Sequence, residues 1–163
     1  IPKNKKYMIP RLVEKFRFFY GKDGVHNATI YEKIPELLKL LKNKNIRMYV
    51  VTNKPLIYTR FLCKKFDIEN FFNAIIGTQI NGKSKSKDQM IKSLKDKYTI
   101  DVNNTCFIGD TSSDIYLAKK HKIYSIGVLY GNGNRQDLIK SNPDLLISSI
   151  SDLIRFVERY GQS

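Results

Sequence analysis

Three short polar stretches carry the residues of this chain best suited to chemistry, and each lies where an apolar run gives way to a turn or a helix. Thr52 and Asn53 follow Tyr49-Val50-Val51. A hydroxyl and free backbone N–H groups at the mouth of a strand can hold an anion. Lys87 opens a helical stretch after the polar loop TQINGKSKS, where its ammonium would neutralise that anion; Lys85 offers an alternative register. Gly109-Asp110-Thr111-Ser112-Ser113-Asp114 follows TCFIG. Glycine lets the backbone turn there, and two carboxylates four residues apart converge at the strand end. Hard oxygen donors of this kind, without His or Cys, suit Mg²⁺. Each stretch also has a plain structural reading. Thr-Asn is a common turn and cap, Lys87 is one of three lysines with Lys83 and Lys85, and Gly-Asp-x-x-x-Asp can be a helix start capped by Asp110 or Ser112. The order of all three, on successive strand ends, is what favours chemistry. His26 and His121 suggest no ligand cluster.

The elements that must position these residues are legible from periodicity. Ile9, Leu12, Val13, Phe16, Phe19 and Tyr20 recur at helical spacing over residues 7–20, and the 21–27 stretch is expected to end that helix. A second helix is expected over 34–44. The run IRMYVV (46–51) reads as a buried strand stopping at Thr52, with Pro55 placed to start the next helix. Alternation then continues: helix 56–66, strand 74–77, helix 87–98, strand 105–109, helix 112–121, strand 123–128, a YGNGN loop, a helix from 135, strand 144–147 and helix 150–160. Such alternation predicts an α/β fold with a doubly wound, mostly parallel sheet, in which ligands bind at the carboxyl ends of the strands. The one plausible boundary lies near Tyr31, separating residues 1–30 from 31–163.

Composition narrows the function classes. The 163 residues, 42% hydrophobic, suffice for one α/β domain with a sizeable core. No run approaches the length of a membrane span, and no signal peptide is expected. Cys63 and Cys106 lie in apolar segments without metal-ligand spacing and read as reduced core residues of a cytoplasmic protein. The net charge is +14, and residues 1–54 hold 13 basic against 4 acidic residues. Without a nucleic-acid motif or aromatics interleaved in a basic stripe, this positive field suits an anionic substrate better than nucleic acid.

The three stretches, VVTNK (50–54), GKSKSKDQMI (82–91) and FIGDTSSDI (107–115), resemble the second, third and fourth motifs of haloacid-dehalogenase-like hydrolases. YEKIPELLKLLKNKNI (31–46) and SIGVLYGNGNRQDL (125–138) extend the likeness, which covers nearly the whole chain and is greatest to the phosphoglycolate-phosphatase-like group. The resemblance implies a Mg²⁺-dependent phosphomonoesterase acting on a small phosphorylated metabolite through an aspartyl-phosphate. Thr52 would hydrogen-bond the phosphoryl group with help from the backbone at Asn53, Lys87 would stabilise the phosphoryl oxygens, and Asp110 and Asp114 would serve the metal. Residues 1–30 would be the end of a helical cap and 31–163 the core.

One family feature does not match. The first motif, Asp-x-Asp-Gly-Thr after an opening strand, supplies the nucleophile and the general acid–base; Asp23-Gly24 follows a helix and lacks the paired aspartate. The chain is therefore expected to begin within the cap and to be inactive alone. In the family the opening strand lies between the strands of the second and fourth motifs, so a preceding segment or a second chain is expected to complete the sheet. A phosphomutase or phosphonatase on the same scaffold, a non-catalytic phosphate-binding protein and a nucleic-acid-binding protein are the alternatives.

Overall fold

A computed structural model describes residues 7–80 and 84–160. Helix α1 (Ile9–Phe19) widens into a π-helical turn over Tyr20–Gly24, closed by Val25 N–H donating to the Tyr20 carbonyl at 2.8 Å, so it ends within the 21–27 stretch as expected. Then follow α2 (Ile34–Asn43), β1 (Tyr49–Pro55), α3 (Leu56–Lys65), β2 (Ala74–Thr78), α4 (Lys87–Tyr98), β3 (Cys106–Gly109), α5 (Ser112–Lys120), β4 (Tyr124–Val128), α6 (Arg135–Lys140), β5 (Leu145–Ile147) and α7 (Ile150–Tyr160). Every strand pair is parallel, and the α/β, Rossmann-like class read from the sequence holds.

The sheet comes in two parts: β1 with β2, and β3-β4-β5 with β4 central. Among the described residues, β1 has no ladder partner besides β2, and β3 none besides β4. That leaves both with an open edge. Cys106, expected in the core, is exposed on β3, because an edge strand lacks the neighbour that would cover it. Cys63 is buried in α3, and burial pushes its thiol up.

Helix α4 spans the break. At one end Tyr98 packs its ring against Tyr49 of β1, 5.2 Å between centroids; at the other, Lys87 sits 5.8 Å over the Phe107 ring of β3. Met90, Ile91 and Leu94 on its inner side are buried, which gives the helix its hold. A hydrophobic core cluster lies elsewhere, where Leu37 of α2 meets Ile126 and Val128 of β4, Ile147 of β5, and Ile150, Leu153 and Ile154 of α7.

Helix exits explain where strands begin. Asn45, Asp67 and Lys122 take left-handed φ values of 56°, 55° and 56° after α2, α3 and α5. Each is followed by an isoleucine whose N–H reaches back into the helix: Ile46 to Leu41, Ile68 to Cys63, Ile123 to Ala118, at 2.8–3.0 Å. Ile46 is thus used by the α2 exit, so β1 starts at Tyr49 rather than at Ile46 and runs on to Pro55.

A polar staple joins β4 to the start of β5. Ser125 is fully buried; its hydroxyl and N–H donate to Asp144 Oδ2 at 2.5 and 2.7 Å, and the Asp144 N–H returns a bond to Ser125 Oγ at 3.0 Å. The Ser125 hydroxyl, then its N–H, holds the Asp144 carboxyl below the usual carboxylate range. A lowered folded-state value means stability present above the unfolded value, near 4, and lost as pH falls through the folded one. Asp144→Asn is expected to cost about 1 kcal/mol at pH 7, modest because Asp144 itself faces water, and to shallow the acid limb of urea-midpoint against pH. An unchanged acid limb would remove Asp144 from the acid response.

Candidate active site

The head of β1 is irregular. Tyr49, Val50 and Val51 pair in step with Ala74, Ile75 and Ile76, but Pro55 next pairs with Thr78, so Thr52, Asn53 and Lys54 bulge from the ladder. Thr52 Oγ1 accepts the Lys54 N–H at 3.1 Å, and the Asn53 carbonyl accepts the Thr78 hydroxyl at 2.9 Å. The bulge takes residues 52–54 out of the regular ladder at the carboxyl end of the strand.

Lys87 is the first residue of α4, held by a capping box in which Ser86 Oγ accepts the Gln89 N–H at 3.2 Å and Gln89 Oε1 accepts the Ser86 N–H at 2.9 Å. Its ammonium reaches Asp114 Oδ1 at 2.5 Å, with side chains 19% and 6% exposed. Lys85 turns instead to Ser93 Oγ of α4, at 2.9 Å. Of the two candidate lysines, Lys87 meets the Asp114 carboxylate.

The β3–α5 turn shows how one residue type serves two readings. The cap is Thr111, not Asp110 or Ser112, and Asp114 completes the box: Thr111 donates its hydroxyl to Asp114 Oδ2 at 2.7 Å and its N–H at 3.3 Å. Asp114 is therefore both a cap and the buried partner of Lys87. Gly109 is required by close approach, because a Cβ there would press into the Asp114 side chain, with its carboxyl carbon 2.7 Å away.

Asp110 is held differently. Its Oδ2 accepts the Asn132 and Gly133 N–H groups at 2.8 and 3.1 Å. Among the described residues no hydrogen bond to Oδ1 is formed, leaving a pinned, hard oxygen for a cation. Asp114 has both oxygens engaged. The donor chemistry fits Mg²⁺, which keeps several waters and needs only one or two carboxylates. No group of three His, Cys, Asp or Glu able to hold a metal occurs among the described residues. The YGNGN loop was legible as a glycine-containing turn after a strand, but its service to Asp110 was not read from the sequence. The structure thus joins Lys87 to Asp114 directly and ties Asp110 to the 131–133 loop. Thr52 and Asn53 make no hydrogen bond to these three. His121 Nε2 lies 2.8 Å from Asp88, and His26 packs against Phe61, in keeping with structural roles.

The haloacid dehalogenase-like hydrolase family model matches residues 1–128. The chain belongs to that family. Within it, the chain is 27% identical over 148 residues to a 5′-nucleotidase of Pseudomonas aeruginosa, covering 91% of the chain and 67% of that protein. It is also 27% identical over 147 residues to a phosphoglycolate phosphatase of Mannheimia succiniciproducens, covering 90% and 66%. The chain thus spans about two thirds of the length of these relatives. A crystal structure of a predicted phosphatase from Clostridium acetobutylicum superposes with a TM-score of 0.84 at 26% identity, covering 90% of this chain and 68% of that one. Phosphoglycolate-phosphatase-like members of the haloacid dehalogenase-like hydrolases are therefore its relatives in both sequence and fold. No helix among the described residues is long and apolar enough to cross a membrane.

Proposed function

We propose that the protein is a Mg²⁺-dependent phosphomonoesterase of the phosphoglycolate-phosphatase type, acting in the cytoplasm on a small phosphorylated metabolite. The observation that carries this reading is the buried Lys87–Asp114 pair beside the pinned Asp110, at the carboxyl end of β3. Phosphoryl transfer asks mainly for positioning and charge neutralisation. Thr52 donates to a phosphoryl oxygen, and the bulged backbone at Asn53 adds N–H donors. Lys87 lies on the same group's charge and pairs with Asp114 beside it. Asp110 and Asp114 would hold the metal, and Mg²⁺ there would offset the negative charge of phosphate and nucleophile.

The nucleophile comes from the family's first motif, on a strand that fits between β1 and β3. The open edges of those two strands support this placement, as does the bridging of the break by α4. Residues 1–30 belong to the cap and 31–163 to the core. The 163-residue chain alone is expected to release no phosphate.

The test is a panel of phosphate esters, including 2-phosphoglycolate and nucleoside monophosphates, offered to the product of the complete reading frame. Phosphate release abolished by EDTA and restored by Mg²⁺ is expected. Release from no ester on the panel would sink the reading.

A further inference from the structure

Beside the Thr52–Lys54 bulge lies a cleft of about 390 Å³ whose walls are aromatic. Phe16 of α1 stacks on Tyr20 at 5.6 Å and 21°, and Tyr58 of α3 meets Tyr20 edge-on at 5.5 Å. Asn53, Lys54 and Thr78 supply its polar lining, and through Asn53 the cleft shares a residue with the proposed phosphate site. Lys54, the residue after the bulge's Asn53, donates to the Tyr20 hydroxyl at 2.5 Å and sits 5.0 Å over its ring. Its charge is thus spent partly on a phenol rather than presented bare to an anion. Phe16 is 67% exposed, an unusual site for a ring that only fills a core.

We infer that this cleft receives the leaving group of the phosphate ester, and that the leaving group carries an aromatic or heteroaromatic ring. This rests on the phosphomonoesterase reading above. A planar ring entering from the Asn53 end can stack on Phe16 and meet the edges of Tyr20 and Tyr58, while the Lys54 ammonium and the Asn53 amide donate to ring heteroatoms. A two-carbon acid such as glycolate has no surface to set against these walls.

The experiment compares kcat/KM for adenosine 5′-monophosphate and phenyl phosphate with that for 2-phosphoglycolate, using the product of the complete reading frame and its Phe16→Ala variant. The aromatic esters are expected to be favoured at least tenfold, and the preference is expected to fall roughly tenfold in the variant, the size of one lost ring stack. Phe16 is largely exposed, so its removal spares the core; Tyr58→Ala should lower the same ratio. Equal or better use of 2-phosphoglycolate, or a preference untouched by Phe16→Ala, overturns the inference and leaves the phosphatase reading standing. If no ester is turned over, that reading falls, and calorimetric binding of adenosine 5′-monophosphate decides the cleft. Binding weakened by Phe16→Ala upholds it, and no binding, or binding indifferent to Phe16, overturns it.

Discussion

A Lys87→Ala variant is expected to lose both stability and phosphate release. The ammonium is the charged partner, at 2.5 Å, of an Asp114 side chain that is only 6% exposed. Removing one member of a buried ion pair strands the other, at a cost of about 3 kcal/mol; the remaining Thr111 bonds to Asp114 argue for the low end of that range. Urea unfolding measures this directly. Adding Asp114→Asn to Lys87→Ala should recover much of the stability, because the stranded charge is gone. It should not recover catalysis, since loss of a preorganised cation over the phosphoryl group is expected to lower kcat by about 10²–10³. A Lys87→Ala protein that unfolds at the parent's urea midpoint would make the pair a solvent-screened contact and weaken its claim on the phosphate.

Gly133→Ala is the second large effect. A Cβ at Gly133 would fall on the Asp110 carbonyl oxygen, with the carbonyl carbon 2.8 Å away. Backbone blocks it, so either the loop or the β3–α5 turn must move, and both movements take the Asn132 and Gly133 N–H groups off Asp110 Oδ2. Asp110 then loses its fixed orientation. The apparent Mg²⁺ affinity in phosphate release is expected to weaken by about 10–100-fold, as for loss of an orienting partner behind a metal ligand. Asn132→Ala is the control: its side chain is exposed and its contribution is a backbone N–H, so Mg²⁺ titration should match the parent. If Gly133→Ala titrates like the parent, the loop does not orient the metal carboxylate.

Much of the fold was legible because the chain is locally consistent. Helices α4 and α7 begin and end where the periodicity places them, since the Ser86 capping box and the amphipathic pattern are encoded within a few residues. The site residues were visible as types at strand ends. Which role each takes was less so. Asp114 reads equally as cap or as chemistry, and the structure makes it both, because a box bond uses one oxygen and leaves the other for Lys87. Lys85 and Lys87 differ by two positions at a helix start, enough to point one along α4 and the other at Asp114 of α5.

By itself the sequence determined the order of elements, the parallel α/β class and the three polar stretches, since strand and helix periods, caps and turn residues are short-range signals. Tertiary structure alone decided what depends on distant segments meeting. It set the late start of β1 after the α2 exit, the bridging of the sheet's break by α4, the exposure of Cys106 on an open edge, and the grip of the 131–133 loop on Asp110. It also assembled the aromatic cleft from residues 16, 20 and 58. Such contacts join residues tens of positions apart, and no local pattern encodes which of many exposed side chains will face one another once the core has closed.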